Sequence, residues 1–423
     1  MQEPRSRFLS RLFKHYHLCG VPPGWRIVRL ADHTIFGTGH TPNKKVPSYW
    51  DGSIPWVSLA DSFRLDQVTI ENTVSTISAL GIRNSSAVVH PAGTVILSRD
   101  AGVGKSAILG KDMAVSQHFV TWKPGNDLNG LFLYYWLQLM KCEFEMVAVG
   151  STIKTIGMPY FRSMEILLPP KKEQDWMADA MYRYDHAIAL AERLIAGEMK
   201  LRKGLMYQLS TGKRRFPGFS EPWREVALGE VTTESSRRNN GELDRTTVRA
   251  VTNSVGMIPM REQTIAESLG RYKIIEPRAF AYNPMRINVG SLCMWTGDSP
   301  ALVSPDYVVF ACNESQLDAT YFDYLRQTHR WAHYMTAGGN GSVRIRIYYT
   351  DLAALRFVIP PYAEQVRIGR FLGSMDRELA LLRAQLAALK TQKKGLMQQL
   401  LTGKVRVPLP APTPEDQAAA VVA

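Results

Sequence analysis

The chain is written twice. Residues 168–174 read LPPKKEQ and residues 359–365 read IPPYAEQ, while residues 203–213 read KGLMYQLSTGK and residues 394–404 read KGLMQQLLTGK. Both pairs are offset by 191 residues, and the same offset relates Gly150-Ser151 to Gly341-Ser342 and Asp185 to Asp376. A register of this kind, ungapped over about 60 residues, is not a chance event and constrains the architecture before any motif does. The halves also begin alike, Trp25-Arg26-Ile27-Val28-Arg29-Leu30 beside Trp223-Arg224-Glu225-Val226-Ala227-Leu228. Between start and tail only weak echoes survive, such as VSQHF at 115–119 beside VSPDY at 303–307. Each half is therefore a divergent globular part followed by a similar tail.

The tails read as long helices. Each opens with a double proline, Pro169-Pro170 and Pro360-Pro361, followed by Glu-Gln; proline is tolerated at a helix start and acidic groups suit its dipole. In the second tail Ile368, Leu372, Met375, Leu379, Leu382, Leu386 and Leu389 alternate steps of four and three. That is a coiled-coil seam, interrupted at Lys393 and resumed at Leu396 and Leu400. The first tail keeps the same frame through Met177, Met181, Tyr184, Ile188, Ala191, Ile195, Leu205 and Leu209, with Glu198 and Arg202 on its seam, where they should weaken it. Gly212 and Gly403 suit helix stops. Two seams in one chain most simply pair with each other, as an antiparallel coiled coil on the order of 55 Å long, with an internal pseudo-twofold repeat. Independent amphipathic helices, each covering its own domain, are the other reading.

The globular parts have strand-like runs at 54–59, 93–98, 279–282 and 307–310 and helix-like runs at 131–137 and 321–325. The expected fold class is therefore α/β (α+β), two mixed α/β domains separated by two long helices. The segment GVGKS at 102–106 imitates a phosphate loop, but Arg99 stands where that motif needs glycine. A tight basic loop from Arg99 to Lys105 that approaches a phosphate, or a plain hairpin, are the readings left open. Basic and amide side chains recur in loops of both halves. They are Lys44, Lys45, Arg99, Lys105 and Lys154 in the first, and Arg237, Arg238, Arg286, Asn288, Asn340, Arg344 and Arg346 in the second. Arg and Asn pair bidentately with guanine and adenine edges and Lys grips phosphate, so the set favours DNA, although any single member reads more readily as an ordinary solvated surface charge.

A net charge of +13 and a pI near 9.5 suit a polyanionic partner. The cysteines Cys19, Cys142, Cys293 and Cys312 form no CxxC pair, so a reducing, cytoplasmic setting is expected. His15, His17 and Cys19 have no second ligand cluster with zinc spacing, and no metal site is expected. There is no apolar run of membrane-spanning length and no secretory signal. No methyl-donor-type Asn-Pro-Pro-Tyr/Phe run, nucleophile elbow or HExxH occurs; Asn283-Pro284-Met285 is the nearest approach to the first.

On these residues the chain resembles the specificity subunits of Type I restriction–modification systems. The Trp-Arg-x-Val-x-Leu-like starts, the PPxxEQ openings, the KGLMxQLxTGK closings and IPWVSLAD at 54–61 carry the resemblance, over about residues 24–408. It implies target-recognition domains at 23–166 and 215–357 and spacer helices at 167–214 and 358–408. A basic extension at 1–22 and a disordered tail at 409–423 flank them. It also implies double-stranded DNA, two methyltransferase subunits and motor–nuclease subunits as partners. No cofactor is expected on this chain, since S-adenosylmethionine, ATP and magnesium would sit on the partner subunits. A self-contained methyltransferase or nuclease, and a coiled-coil scaffold without DNA contact, are the alternatives.

Overall fold

The computed structural model describes residues 7–18, 20–252, 256–287, 290–329, 331–333 and 346–407. The expected disordered tail, 409–423, and the first six residues of the basic extension lie outside them, as do Asn288, Asn340, Arg344 and Cys19. The chain divides into two compact units, residues 1–191 with 385–423, and residues 192–384. Both division points fall inside long helices, Lys171–Ser210 and Tyr362–Leu400. No helix among the described residues is long and apolar enough to cross a membrane.

In the first unit the central sheet runs Thr34–Thr38, Phe119–Pro124, Val95–Ser98, Ser106–Leu109, Thr69–Ile70, antiparallel except for its last pair. The strand Val95–Ser98 is buried throughout because both sheet faces are covered. Val95 and Leu97 join the core beneath the helix Gly130–Leu139, whereas Ile96 faces a second core with Val57, Leu109 and Phe119. A second sheet, in the order Ser75–Ile77, Trp50–Val57, Met113–Val115, Val89–His90, supplies Val57, Met113 and Val115 to that core. At the N-terminus, the helix Arg7–His15 inserts Leu12, 1% exposed, into the first core.

The second unit repeats this plan with shorter strands. Its sheet order, Thr232–Ser235, Val308–Cys312, Phe280–Tyr282, Leu292–Met294, matches the first four strands of the other sheet one for one. Phe280 and Tyr282 face one core and Ala281 another, the alternation seen at Val95–Ser98. The helix Ala319–Leu325 stands where Gly130–Leu139 stands in the first unit. Thus the divergent middles, which share almost no sequence, share a topology.

The repeated residues explain why the tails are alike. Gln174 and Gln365 are fully buried. The Gln174 amide accepts from the Asn129 N–H at 2.8 Å and donates to the carbonyls of Asp127 at 3.0 Å and Pro169 at 2.9 Å. Gln365 does the same with the Asp318 N–H and the carbonyls of Gln316 and Pro360, each at 2.9 Å. Asn129 and Asp318 in turn cap the helices Gly130–Leu139 and Ala319–Leu325 through their side-chain oxygens. Each glutamine therefore ties the start of a long helix to the cap of a short one.

The glutamates beside them are buried ion-pair acceptors. Glu173 receives the Arg406 guanidinium and, at 3.1 Å, the Trp25 indole N–H. Glu364 receives Arg215 at 2.7 Å and the Trp223 indole at 3.2 Å. The first unit is thus closed by the end of the second repeat, and the second unit by the end of the first. Within each unit the long-helix segments run antiparallel, with Asp185 against Lys393 at 2.5 Å in one and Asp376 against Arg202 at 2.5 Å in the other.

Polar breaks in the seam become matched nodes. Tyr135 donates to Asp185 at 2.7 Å and lies under the Lys393 ammonium, while Tyr324 donates to Asp376 at 2.7 Å and lies under the Arg202 guanidinium. Burial, reinforced by these hydrogen bonds, pushes both phenols well above the usual tyrosine range. For Arg202 burial is the largest influence and opposes the charge, but the hydrogen bond and charge of Asp376, with Tyr324, together outweigh it and the pKa rises. The expectation that Arg202 weakens the seam therefore misses its partner: a polar group in a seam fixes register when an opposite charge meets it. After each helix a left-handed glycine, Gly212 at φ 71° and Gly403 at φ 70°, turns the chain out. The N–H groups of Arg214 and Val405 reach back to the Gln208 and Gln399 carbonyls to complete the stop.

Candidate nucleic-acid interface

In the first unit the register places Thr38 opposite Val120 and Ser98 opposite Phe119. The end of Thr34–Thr38, the end of Val95–Ser98 and the start of Phe119–Pro124 therefore lie at one end of the sheet. The loop 39–49, the hairpin 99–105 and the turn 116–118 all emerge there. In the second unit Ser235 opposes Val309 and Tyr282 opposes Val308, so the loop 236–248, the segment 283–287 and the turn 304–307 emerge at the equivalent end.

Close backbone packing holds the first loop in place. A Cβ at Gly39 would come within 1.7 Å of the Val115 carbonyl oxygen, so only glycine allows this approach, and the His40 N–H bonds that carbonyl at 3.0 Å. The Asn43 side chain accepts from the Lys45 N–H at 3.0 Å and shapes a turn that leaves Lys44 and Lys45 exposed. Neither ammonium has an ion pair among the described residues. Trp50 and Trp56 meet edge to face at 5.0 Å behind this loop, with the Trp56 indole donating to the His40 carbonyl at 3.1 Å. They floor a cleft of about 600 Å³ shared by Thr41, Lys44, Gln117 and His118.

The segment 99–105 is a closed hairpin rather than a nucleotide-binding loop. Gly102 and Gly104 have φ of 119° and 84°, and a strand rather than a helix begins at Ser106. The Arg99 Nε donates to the Ile156 carbonyl at 3.0 Å, and the Lys105 ammonium is held by the Ser62 carbonyl at 3.0 Å. Lys154 is exposed on a small loop closed by reciprocal Val149–Thr155 bonds of 3.1 and 2.9 Å. That loop joins the hairpin at the Asp100–Thr155 bridge, and Lys105, Lys141 and Lys154 share a cleft of about 560 Å³.

In the second unit Arg238 and Arg286 are exposed, and Arg286 sits on the loop that replaces the 99–105 hairpin. Arg237 pairs with Glu242 at 2.6 Å and Glu276 at 2.7 Å, which occupies its guanidinium. Arg346 reaches a cleft of about 460 Å³ with Glu234, Lys273, Asn283 and Asp306, its segment pinned by the Ile347 N–H to the Pro284 carbonyl at 3.1 Å. Burial lowers the pKa of Lys273, whose ammonium donates to the Tyr307 carbonyl at 2.7 Å.

The structure thus places the candidates Lys44, Lys45, Arg99, Lys105 and Lys154 near one sheet end, and Arg237, Arg238, Arg286 and Arg346 on the other unit's loops. Lys105 and Arg237 are held by neighbours within the chain. Thr41, Trp56, Gln117 and His118 are among the lining residues that escaped notice. The signal for the last two was present, because VSQHF and VSPDY are the same turn in the two units. Among the described residues no group of His, Cys, Asp or Glu is placed to hold a metal ion.

Known proteins fit this arrangement. Residues 22–197 match the family described as the Type I restriction modification DNA specificity domain. The Type I restriction enzyme MjaVIII specificity subunit of Methanocaldococcus jannaschii is 24% identical, over 93% of this chain and 96% of that protein. The MjaIX specificity subunit of the same organism is 25% identical over 42% of this chain and 41% of its own length. Among solved structures, the S subunit of a Type I restriction–modification system from M. genitalium has a TM-score of 0.54 at 14% identity, covering 89% of this chain and 96% of its own. The HsdS subunit from Thermoanaerobacter tengcongensis has a TM-score of 0.52 at 20% identity, covering 92% and 99%. At these identities the structural likeness is one of fold.

Proposed function

We propose that this chain is a specificity subunit of a Type I restriction–modification system and that it reads a bipartite double-stranded DNA site, one half with each sheet-end loop cluster. The observation that carries the reading is the equivalence of the two clusters. Two units of one topology present loops with exposed cations, Lys44, Lys45 and Lys154 in one and Arg238, Arg286 and Arg346 in the other, at the same end of the same sheet. Lysines grip phosphates and set orientation, while arginine and amide groups supply base-edge chemistry. The chain carries specificity and no catalysis of its own.

The long helices dock two methyltransferase subunits. Exposed apolar side chains along them support this, including Trp176 at 43% and Leu381 at 72% exposure. S-adenosylmethionine serves the methyltransferase subunits, and ATP with magnesium serves motor–nuclease subunits that join through the complex.

The test is adenine-methylation mapping by long-read sequencing in cells that co-express the chain with its methyltransferase subunit. A split motif with a fixed spacer, lost when this chain is omitted, is the expected result. Absence of a motif despite a stable complex would overturn the reading. Phosphate contact has its own signature. The double variant Lys44→Ala/Lys45→Ala should weaken binding of the chain–methyltransferase complex to all sequences alike, and should reduce the slope of log affinity against log salt by about 2. An unchanged slope in a filter-binding titration would remove these lysines from the interface.

A further inference from the structure

We propose that Gln117 and His118 are base-contacting residues of the first reading unit, with the Gln117 amide reading an A·T pair. This rests on the DNA-reading function above and names the residues that discriminate. Gln117, exposed, and His118, half-buried, form the tip of the turn between the strands Met113–Val115 and Phe119–Pro124, whose flanking residues 113–116 and 119–122 are all buried. The Ser116 N–H bonds the Val57 carbonyl at 2.9 Å and the Phe119 N–H bonds the Ser116 carbonyl at 3.1 Å, so the turn is rooted in the core on both sides. It emerges between the loop bearing Lys44 and Lys45 and the 99–105 hairpin. Cations that grip a phosphate backbone there would place base edges in front of the turn.

Both side chains are held from behind. Thr41 Oγ1 donates to Gln117 Oε1 at 2.5 Å, which fixes the amide plane. The Nε2 hydrogens and the second lone pair of Oε1 remain for a ligand, and this donor–acceptor pair matches adenine N7 and the adenine amino group. His118 Nδ1 lies 2.7 Å from Asp100 Oδ1. A carboxylate accepts, so Nδ1 donates to it and Nε2 is left for a ligand. Rigid, pre-oriented polar groups of this kind discriminate well because no ordering is needed on contact.

The second unit has Pro305-Asp306 at this turn, and Asp306 is a pure acceptor in its own cleft. The two units therefore carry different reading chemistry, and the two halves of the site differ in sequence. Equivalent folds with unlike turns make an asymmetric reader.

The experiment is methylation mapping with the full chain and its methyltransferase subunit, comparing wild type with Gln117→Ala. Relaxation by about 10-fold at one A·T pair in one half, with the other half and the spacer unchanged, is expected. The exposed position should leave the melting temperature unaltered. An unchanged motif overturns the inference alone, and so does a uniform loss of methylation across all sites. A wild-type chain that directs no split motif removes the functional reading and this inference with it. The variant Asp306→Ala is expected to alter only the opposite half, and an effect on the half altered by Gln117→Ala would also overturn the assignment.

Discussion

Replacing residues 222–359 with the corresponding domain of another specificity subunit will change one half of the methylated motif completely and leave the other half intact. The structure explains why these are workable boundaries. The strands Arg224–Ala227 and Arg356–Ile359 pair antiparallel, with Arg224 opposite Ile359, so the domain enters and leaves its unit at one place. The incoming domain needs only Trp at its start, to meet Glu364, and a helix cap that can donate its N–H to Gln365. All loops at the equivalent sheet end, including Arg238 and Arg286, travel with the exchanged segment, whereas both long helices stay. Long-read methylation mapping distinguishes the outcomes. If both halves changed, the two units would not be independent readers. If neither changed, the reading residues would lie outside the domain.

The second large effect concerns stability. Gln174→Leu should lower the melting temperature of the chain by about 6–12 °C, from a loss of about 3 kcal/mol. The side chain is fully buried, and its loss leaves the Asn129 N–H and the carbonyls of Asp127 and Pro169 without the partner that joins them. The loss also loosens the Asn129 cap, so the helix Gly130–Leu139 frays with it. Gln365→Leu should act alike in the second unit through the Asp318 cap. Differential scanning calorimetry of the purified chain reads both. A shift below 2 °C for each variant would show that the repeated Gln is dispensable to the fold.

Much of this was legible in the sequence because it is local and periodic. The 4-3 spacing from Ile368 to Leu389 is reproduced as buried or half-buried positions on one helix stripe, and the first tail keeps its stripe even through Glu198 and Arg202. Gly212 and Gly403 end their helices for the conformational reason their position suggested. Runs of β-branched and aromatic residues marked Val95–Ser98, Phe280–Tyr282 and Val308–Cys312 as strands. The candidate cations fell on loops because Gly, Asn and Lys clusters between apolar runs cannot be buried.

Other features depended on partners far away in the chain. Arg406 and Arg215 continue the repeat beyond its quoted closings, yet nothing local says that each meets the glutamate of the other repeat. Lys393 and Arg202 looked like flaws in a seam until Asp185 and Asp376 stood opposite them. Lys105 and Arg237 looked like free cations, and only their neighbours Ser62, Glu242 and Glu276 show them occupied. The turn at Gln117 and His118 gained meaning once strand register placed it between two basic loops. The sequence by itself determined the repeat, the helices and the chemical character of the loops, since periodicity and turn chemistry act over a few residues. The tertiary structure decided which ends close which unit and which charges stay open to a ligand, since those contacts join residues up to 383 positions apart.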